Sequence, residues 1–282
     1  MHYVVLTKGV PDFREGQVEF DEDGHLKRGS TPTVMNPNDK VALRAALQTK
    51  VKHGGRVSLT AMGPPDADEI LREGMEDVYA DDLYLLTDRA FAAADTWATA
   101  ITLGTAIKEM GEPDIVFAGF KTADGETGHT GPQTDWVLDR PLITHVINLE
   151  HDPEEGIIRA ERLVEGDEDE IETVEAETPA VVVTDPEFEP FYDKASHRLR
   201  HKELRFETEE RSENHEEHLT EWGHDELNLD PDNVGLDGSP TLVSSVDAIP
   251  KAPAEREVTY IEPVDDEGMN DVFETIEPLA GD

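Results

Sequence analysis

The amino-acid sequence predicts an α/β fold with an open, mostly parallel sheet. In the first half of the chain, apolar runs typical of buried strands alternate four times with segments typical of helices. Such alternation favours parallel strands with helices on both faces of the sheet. Turns rich in glycine and proline follow several of the apolar runs, as at residues 8–12 and 62–65. With 282 residues, 37% of them hydrophobic, the chain is long enough to bury a full core.

The predicted elements follow a regular order up to Pro141. Asn36 and Pro37 are typical of the N-cap and first position of a helix, Gly54 is typical of a helix end, and Asp95 is typical of a second N-cap. The acidic turn at residues 21–24 predicts a β-hairpin. The elements are a strand at 3–6, the hairpin at 17–27, a helix from 37 to 54, a strand at 57–61, a helix at 67–74, a strand at 83–86, a helix at 96–110 and a strand at 115–117.

After Pro141 the pattern changes to strands joined by acidic turns, at 142–149, 157–163, 171–174 and 180–184. We expect an antiparallel or mixed extension of the same sheet, followed by a helix at 196–203. Beyond it, residues 207–240 are strongly acidic, and only 219–229 is predicted to be helical; a strand at 258–261 and a short helix at 269–276 complete the prediction. The chain therefore divides into a domain at 1–203 and an acidic C-terminal extension, or arm, at 204–282.

The net charge is −41, from 65 acidic and 24 basic residues. A charge of this sign and size repels nucleic acid and anionic membranes, so neither is expected as a partner. A carboxylate-coated surface is typical of proteins that work in molar salt, where the Debye length is about 3 Å and self-repulsion is screened. We therefore expect a halophilic protein.

The chain has no cysteine, which excludes disulfides, Cys–zinc sites and thiol nucleophiles. No apolar run approaches the roughly 18 residues of a transmembrane helix, and no signal peptide precedes the first strand, so we expect a soluble, cytoplasmic protein without membrane insertion. Neither a nucleophile elbow nor a P-loop is present, and we predict no catalytic side chain. His215 and His218 could share a helix face, but a solvated face is favoured over a metal site.

Residues 114–141 are the most informative stretch. A short apolar strand leads into a loop of small and polar residues, and Pro132 then suits the first turn of a helix. Glycines let a backbone approach a phosphate, and the first N–H groups of a helix attract its charge. The spacing of Gly125, Gly128 and Gly131 is neither the dinucleotide fingerprint nor a Walker A loop. An ordinary strand-to-helix connection is the alternative to phosphate binding.

Three loops are expected at the carboxyl ends of the parallel strands: residues 8–12, 62–65 and 119–131. Ligands of open α/β sheets bind outside these strand ends. Their convergence favours a nucleotide site over an ordinary connection.

Five motifs resemble the β subunit of electron transfer flavoproteins, in order and over roughly residues 1–203. The matches are Lys8, Val10, Pro11 and Asp12; Asn36, Pro37 and Asp39 with the following alanines and leucines; Gly63-Pro64; Gly119, Asp124, Gly125, Thr127, Gly128, Gly131 and Pro132; and Arg162, Glu165-Gly166 and Pro179 to Val182. Lys121 and Lys40 depart from the residues usual in the family, and residues 207–240 match nothing in it.

The resemblance implies an adenine nucleotide alpha hydrolase-like sheet and an α/β heterodimer that carries electrons. Such proteins take electrons from acyl-CoA or related dehydrogenases and pass them to a membrane quinone oxidoreductase. The electron-transferring FAD lies mainly on the α subunit, and the β subunit holds AMP or, in bifurcating members, a second FAD. The segment at Asp95, Thr96 and Thr99 resembles the bifurcating and nitrogen-fixation-linked branch, which favours the second FAD; simple helix capping by Asp95 is the alternative.

The residues that the resemblance and the loops assign to the nucleotide are Leu6, Lys8, Asn36, Asp39, Met62, Gly63, Asp95, Thr96, Thr99, Gly119, Asp124, Gly125, Thr127, Gly128, His129, Thr130 and Gly131. The family's dehydrogenase recognition loop corresponds to residues 185–198. Its Phe188, Phe191 and Tyr192 are assigned to partner binding, with packing on the protein's own sheet as the alternative. The acidic arm at 204–282 is expected to wrap the partner subunit.

Two other functions fit the same architecture. A stand-alone nucleotide-binding regulator of the universal-stress type would share the sheet, but the strands after Pro141 and the acidic tail disfavour it. An adenylating enzyme should carry a phosphate-gripping loop after the first strand, and Thr7 to Pro11 do not form one. We therefore expect an electron carrier subunit in which the cofactor supplies the chemistry.

Overall fold

The computed structural model describes residues 1–12, 32–164 and 170–242. They all belong to one compact unit, Met1–Ser245. Its strands are β1 (His2–Thr7), β2 (Gly9–Pro11), β3 (Thr33–Met35), β4 (Arg56–Met62), β5 (Asp82–Leu86), β6 (Ile115–Ala118), β7 (Leu142–Asp152), β8 (Ile157–Val164), β9 (Glu170–Glu177), β10 (Ala180–Thr184) and β11 (Leu219–Trp222). Its α-helices are α1 (Pro37–His53), α2 (Asp68–Val78), α3 (Thr96–Glu109), α4 (Thr130–Leu138) and α5 (Ala195–Glu213).

Among these residues, nine strands form one sheet in the order β11-β5-β4-β1-β6-β10-β7-β8-β9, and β2 and β3 form a small antiparallel pair. The seven strands from β11 to β7 are parallel, and β8 and β9 are antiparallel. The predicted α/β class, the mostly parallel sheet and its antiparallel extension are confirmed. The sequence did not reveal that β10 lies between β6 and β7, parallel to both.

Both faces of the parallel part are buried because successive side chains of a strand point to opposite faces. In β1, Tyr3 and Val5 belong to a core that includes residues of α1, α2 and α5, whereas Val4 and Leu6 belong to a second core with residues of α3 and α4. All six residues of β1 are buried. This explains the continuous apolar run of β1, which would be expected to alternate if only one face were covered.

Residues 219–229 correct one prediction. The segment is not helical: Leu219 to Trp222 form β11, which pairs in parallel with β5 and places Trp222 against Tyr84, with ring centroids 4.8 Å apart. Pairing with an available sheet edge decided this structure, and local propensity cannot show such a partner. The predicted helix at 196–203 is confirmed but continues to Glu213. The predicted elements at 17–27, 258–261 and 269–276 lie outside the described residues.

In the part of the chain that the structure describes, no helix is long and apolar enough to cross a membrane.

Candidate nucleotide-binding site

The predicted loops lie along one edge of the sheet. The strands β5, β4, β1 and β6 are parallel neighbours, so their carboxyl ends, and the loops that follow, meet at the same edge. Leu6 and Thr7 end β1, Met62 ends β4, and Gly119 follows β6. This edge is where ligands of open α/β sheets bind.

A buried hydrogen-bond cluster joins the first loop to the start of α1. The backbone N–H of Lys8 donates to Asp39 Oδ2 at 2.8 Å, and the backbone N–H of Asn36 donates to the carbonyl of Lys8 at 2.9 Å. Asn36 Nδ2 donates to Asp39 Oδ1 at 2.8 Å. Asn36 and Asp39 are 0% and 6% exposed. Both residues are therefore placed to hold the loops together rather than to project into solvent.

Burial raises the pKa of Asp39 to about 7, although the hydrogen bonds from Asn36 and from the Lys8 backbone favour the ionised form. A carboxyl group with a pKa near neutrality, inside the cluster that ties β1 to α1, makes this edge sensitive to pH.

The same Asn36 amide holds the loop after β6. Its Oδ1 accepts from the backbone N–H of Ala123 at 3.1 Å, and its Nδ2 donates to the carbonyl of Lys121 at 3.0 Å. Asn38 Nδ2 donates to that carbonyl at 2.7 Å, a contact that the sequence analysis missed. Asn36 occupies the predicted N-cap position before Pro37, but its side chain makes no capping hydrogen bond. The side chain instead makes three hydrogen bonds, two with the loop and one with Asp39.

Gly119 is required by the close approach of this loop to α1. A Cβ atom at this position would lie 2.5 Å from Asp39 Oδ1 and 2.6 Å from the carbonyl carbon of Asn38. Any larger residue would push the loop away from the helix. The glycine thus serves packing between two protein segments.

The far end of the loop is held by an ion pair. Lys8 Nζ lies 2.6 Å from Asp124 Oδ2, and the Asp124 Oδ1 accepts from the backbone N–H of Gly125 at 2.8 Å. Partial burial acts to raise the pKa of Asp124, but the hydrogen bond and charge of Lys8 outweigh it, and the pKa is lowered. The lysine and aspartate that the sequence assigned to nucleotide contact are therefore partners of each other.

The tip of the loop and the start of α4 present groups suited to an anion. Thr127 and His129 are exposed, and Gly128 has a left-handed φ of 66°. Thr130 is the first residue of α4, and the first N–H groups of a helix lack intrahelical acceptors. Gly131 is buried at this start, where a Cβ would meet Val183 at 3.0 Å and Ala118 at 3.1 Å.

The ends of β1 and β4 contribute less polar surface. Leu6 is 7% exposed and Met62 packs against the same core, so both present mainly apolar side chains to this edge. The backbone N–H of Gly63 donates to the carbonyl of Leu86 at 3.1 Å and so joins the ends of β4 and β5.

Asp95 caps α3, as the alternative reading predicted. Its Oδ1 accepts from the backbone N–H groups of Trp97 and Ala98 at 3.0 Å and 2.9 Å. Its Oδ2 accepts from the backbone N–H and the hydroxyl of Thr241 at 3.0 Å and 2.6 Å. Partial burial acts to raise its pKa, but these hydrogen bonds together lower it. Thr96 and Thr99 lie in the first turn of α3, half-buried, beside this anchored carboxylate.

The three aromatic residues of the proposed recognition loop occupy different environments. Phe188 is 1% exposed and belongs to the core that includes α1, which corrects its assignment as a surface anchor. Tyr192 packs against that core and its ring lies 5.7 Å from the ring of His201. Phe191 is 61% exposed. Only Phe191 among the three therefore presents a large apolar side chain outward.

The described residues hold no cluster of histidine, aspartate and glutamate that could bind a metal ion. His215 and His218 lie in a short 3-10 helix rather than on an α-helical face.

Comparison with known proteins identifies the family. The Electron transfer flavoprotein domain matches residues 23–212. The chain belongs to the electron transfer flavoprotein family. It is 36% identical over 247 residues to the "Electron transfer flavoprotein subunit beta" of Thermoanaerobacterium thermosaccharolyticum, covering 86% of each chain. It is 34% identical over 245 residues to the "Caffeyl-CoA reductase-Etf complex subunit CarD" of Acetobacterium woodii, again with 86% of each covered. It is also 34% identical over 278 residues to "Protein FixA" of Sinorhizobium fredii, covering 96% of this chain and 90% of the relative.

These relatives make the chain an electron transfer flavoprotein of the β-subunit type. A stand-alone regulator of the universal-stress type is therefore not supported.

Proposed function

We propose that this chain is the nucleotide-binding β subunit of a heterodimeric electron transfer flavoprotein. In this proposal it pairs with an electron transfer flavoprotein α subunit, receives electrons that originate in acyl-CoA or related flavoprotein dehydrogenases, and helps to pass them towards a membrane quinone oxidoreductase. The observation that carries the proposal is the assembly of the family's loop motifs at one edge of the sheet, joined through Asn36, Asp39 and Lys8.

The donor set fits a nucleotide phosphate. The loop offers the Thr127 hydroxyl and the first N–H groups of α4, and Lys8 adds a cation that is 41% exposed in its side chain. Backbone N–H groups and a nearby lysine are the usual partners of a phosphate. When bound, a flavin would supply the redox chemistry, and the protein's residues would hold and orient it. Asn36, Asp39 and Gly119 act indirectly, by holding the loop that carries the donors.

Between AMP and a second FAD, we favour the second FAD. The support is the segment Asp95, Thr96 and Thr99, which resembles that of the bifurcating and nitrogen-fixation-linked branch, together with the similarity to CarD and FixA. Because both oxygens of Asp95 already accept hydrogen bonds, we assign the ligand contact to the hydroxyls of Thr96 and Thr99, and the positioning of α3 to Asp95.

The site of partner contact in this proposal is the segment 185–198 with Phe191 as its exposed anchor, and the acidic extension contacts the α subunit. The acidic composition supports a protein that works in the salt-rich cytoplasm of a halophile.

The test is the nucleotide content of the native complex. The tagged chain is purified from its native cells in high salt, its ligands are released by denaturation, and FAD and AMP are separated and quantified. Two FAD per heterodimer would support a second flavin in this subunit and a bifurcating role. One FAD and one AMP would leave the electron-carrier proposal intact and assign AMP to this subunit. Retention of neither a nucleotide nor a partner chain would contradict it.

A further inference from the structure

A second pocket lies on the other side of the nucleotide loop. It has a volume of about 350 Å³ and lies between the loop after β6, the first turn of α4 and the ends of β7 and β10. In the strand order, β1 and Lys8 lie on one side of β6, whereas β10 and β7 lie on the other. Its lining residues include Phe120, Lys121, Thr127, Thr144, His145 and Val183. Thr127 and Gly128, which also lines the pocket, were assigned to the nucleotide from the sequence, whereas Phe120, Lys121, Thr144 and His145 were not.

His145 reaches this pocket through an irregularity in β7. Its φ is 57°, in the left-handed region that side chains other than glycine rarely adopt. The register between β7 and β10 shifts between Val182 and Thr184 at the same level. Such irregularities turn a side chain out of the regular alternation of a strand, and strained residues persist only where their surroundings hold them.

Asp185, directly after β10, holds the imidazole of His145. The two side chains approach to 3.3 Å between Nδ1 and Oδ2, and Asp185 is 7% exposed. Asp185 is itself fixed, because its Oδ1 accepts from the backbone N–H of Glu187 and its own N–H donates to the carbonyl of Val146. A carboxylate only accepts hydrogen bonds, so the imidazole proton lies on Nδ1 and Nε2 is left as an acceptor.

His145 is surrounded by the aromatic ring of Phe120 and by both positively and negatively charged side chains. The imidazole contacts the Phe120 ring edge to face, with centroids 5.0 Å apart, and Lys121 Nζ lies 6.0 Å from that ring. The charged groups around the pocket are Asp185, Lys121 and Glu126, and the latter two approach to 3.5 Å. The apolar part of the pocket, at Phe120, Pro132 and Val183, lies beside one fixed acceptor and one cationic donor. This combination suits a planar heteroaromatic ring that has an N–H or amino donor beside a carbonyl or ring nitrogen.

We propose that the His145–Asp185 pair, with Phe120 and Lys121, forms a binding site for a heteroaromatic ring of a nucleotide or flavin. His145 Nε2 accepts from the N–H or amino group of the ring, and Lys121 donates to its neighbouring acceptor. The inference rests on the proposed function and assigns it a ring site. The ring is the adenine or the isoalloxazine of a nucleotide bound to this chain, or the flavin of the partner subunit.

Three variants of the full chain test this site. His145→Asn removes the acceptor but keeps a residue that tolerates a left-handed φ. Asp185→Asn offers a donor to Nδ1, so the imidazole proton moves to Nε2 and the acceptor is lost. His224→Asn is the matched control, because His224 also contacts an aspartate, with Nδ1 at 2.6 Å from Asp88 Oδ2, but follows β11, the outermost strand on the other side of the parallel part of the sheet and six strands from β7. Circular dichroism in the same salt checks that each variant folds.

The measurements are binding isotherms for AMP, FAD and riboflavin on the full chain, and the absorbance spectrum of flavin in the heterodimer. We expect His145→Asn and Asp185→Asn to weaken binding about tenfold, the effect of one lost hydrogen bond, and His224→Asn to leave it unchanged. Loss for FAD and riboflavin but not AMP identifies the isoalloxazine, loss for AMP and FAD but not riboflavin identifies adenine, and a change in the heterodimer spectrum alone identifies the partner's flavin.

The pattern of loss across the three ligands is the readout that a merely structural role would not give. Equal binding of all three ligands and equal spectra in wild type and both pocket variants would overturn the ring site. A native complex that holds its nucleotides would still support the proposed function in that case.

Discussion

The central strand β1 and the edge strand β9 show two opposite solutions to forming a sheet in a very acidic protein. All six residues of β1 are buried, and they lie between two cores. Five of the eight residues of β9 are exposed and are either glutamate or isoleucine: Glu170, Ile171, Glu172, Glu175 and Glu177. Ile171 is 62% exposed. Burial on both faces makes β1 apolar from Tyr3 to Leu6, whereas a strand at the edge can carry charges on both faces, which also discourages edge-to-edge pairing.

The polar side chains of the two regions also differ in whether their contacts are buried or exposed. Loops after β1 and β6 are held by buried hydrogen bonds to Asn36 and Asp39. The antiparallel extension instead carries exposed cross-strand ion pairs, such as Arg159 with Glu175 at 2.9 Å. Buried polar contacts are costly to break, whereas exposed ion pairs contribute little. A site that needs fixed geometry is therefore found at the parallel end, and changes there should have the larger effects.

The largest expected effect comes from the core under the loops. Phe117→Ala removes a fully buried ring from β6 and should lower the free energy of unfolding by about 3–5 kcal/mol. Ile171→Ala on β9 is the matched control and should change it by less than about 0.5 kcal/mol. Urea unfolding in constant high salt measures both. Similar losses for the two variants would contradict the contrast between the strands.

Gly119→Ala should have the next largest effect. The new Cβ would lie 2.5 Å from Asp39 Oδ1, so the loop must move away from α1, at a cost of about 1–3 kcal/mol and with weaker nucleotide binding. Gly125→Ala lies in the same loop, but there the nearest atom is Thr122 Oγ1 at 3.6 Å. Unfolding and AMP or FAD binding of the two variants give the comparison. A Gly125→Ala variant as impaired as Gly119→Ala would point to general loop rigidity instead.

Asp39→Asn should reveal a pH-dependent contribution to stability. The pKa of Asp39 is about 7 in the folded chain and its ordinary value is 3.8, so between these values the folded state holds a proton that the unfolded state has lost. Its contribution to stability is therefore full below about pH 4, falls as pH rises towards 7 and stays low above it. Asparagine does not titrate, so the stability advantage of the wild type over the variant should shrink over this range.

Urea unfolding at pH 4.5 to 8 and constant salt measures that difference. The variant also loses one of the two hydrogen bonds that the carboxyl oxygens accept, which should cost about 1 kcal/mol at the acid end of the range. An advantage of the wild type that grows with pH would contradict the assignment.

The smallest expected effect is at the antiparallel end. Replacement of Glu175 by Gln removes the charge that faces Arg159 across the β8–β9 pair. Because both side chains are exposed and molar salt screens them, the melting temperature in high salt should stay within experimental error of the wild type. A clear loss of stability in high salt would show that the ion pairs of the extension stabilise the fold.

Much of the fold was predictable because its signals are local. Continuous apolar runs showed the buried strands, and Gly54, with φ 75°, ends α1 where the sequence placed its end. The acidic turns after Pro141 showed the antiparallel extension. The strand β11 was missed because Leu219 to Trp222 pair with β5, more than 130 residues earlier in the chain. The order of β6, β10 and β7 was missed for the same reason, since strand neighbours are set by long-range packing.

The site was predictable in its residues but not in their roles. Asn36, Asp39, Lys8 and Asp124 do meet at one edge, but they contact one another. Asn36 stands at the predicted N-cap position, yet its side chain holds a loop and makes no capping hydrogen bond. Phe188 looked like a surface anchor because it lies in an irregular acidic segment, yet it is buried in the core. His145 gave no signal, because a left-handed backbone within a strand has no signature at a histidine.

The sequence by itself determined the α/β class, the buried strands, the family and the loops that would carry a ligand. These follow from periodicity, turn chemistry and motif spacing, all of which act over a few residues. Only the tertiary structure decided which polar side chains became internal supports, where β10 and β11 joined the sheet, and that Asp185 faces His145. Those outcomes depend on which segments, distant in the sequence, pack together and form hydrogen bonds with the same buried groups. Such partners are fixed only when the chain has packed.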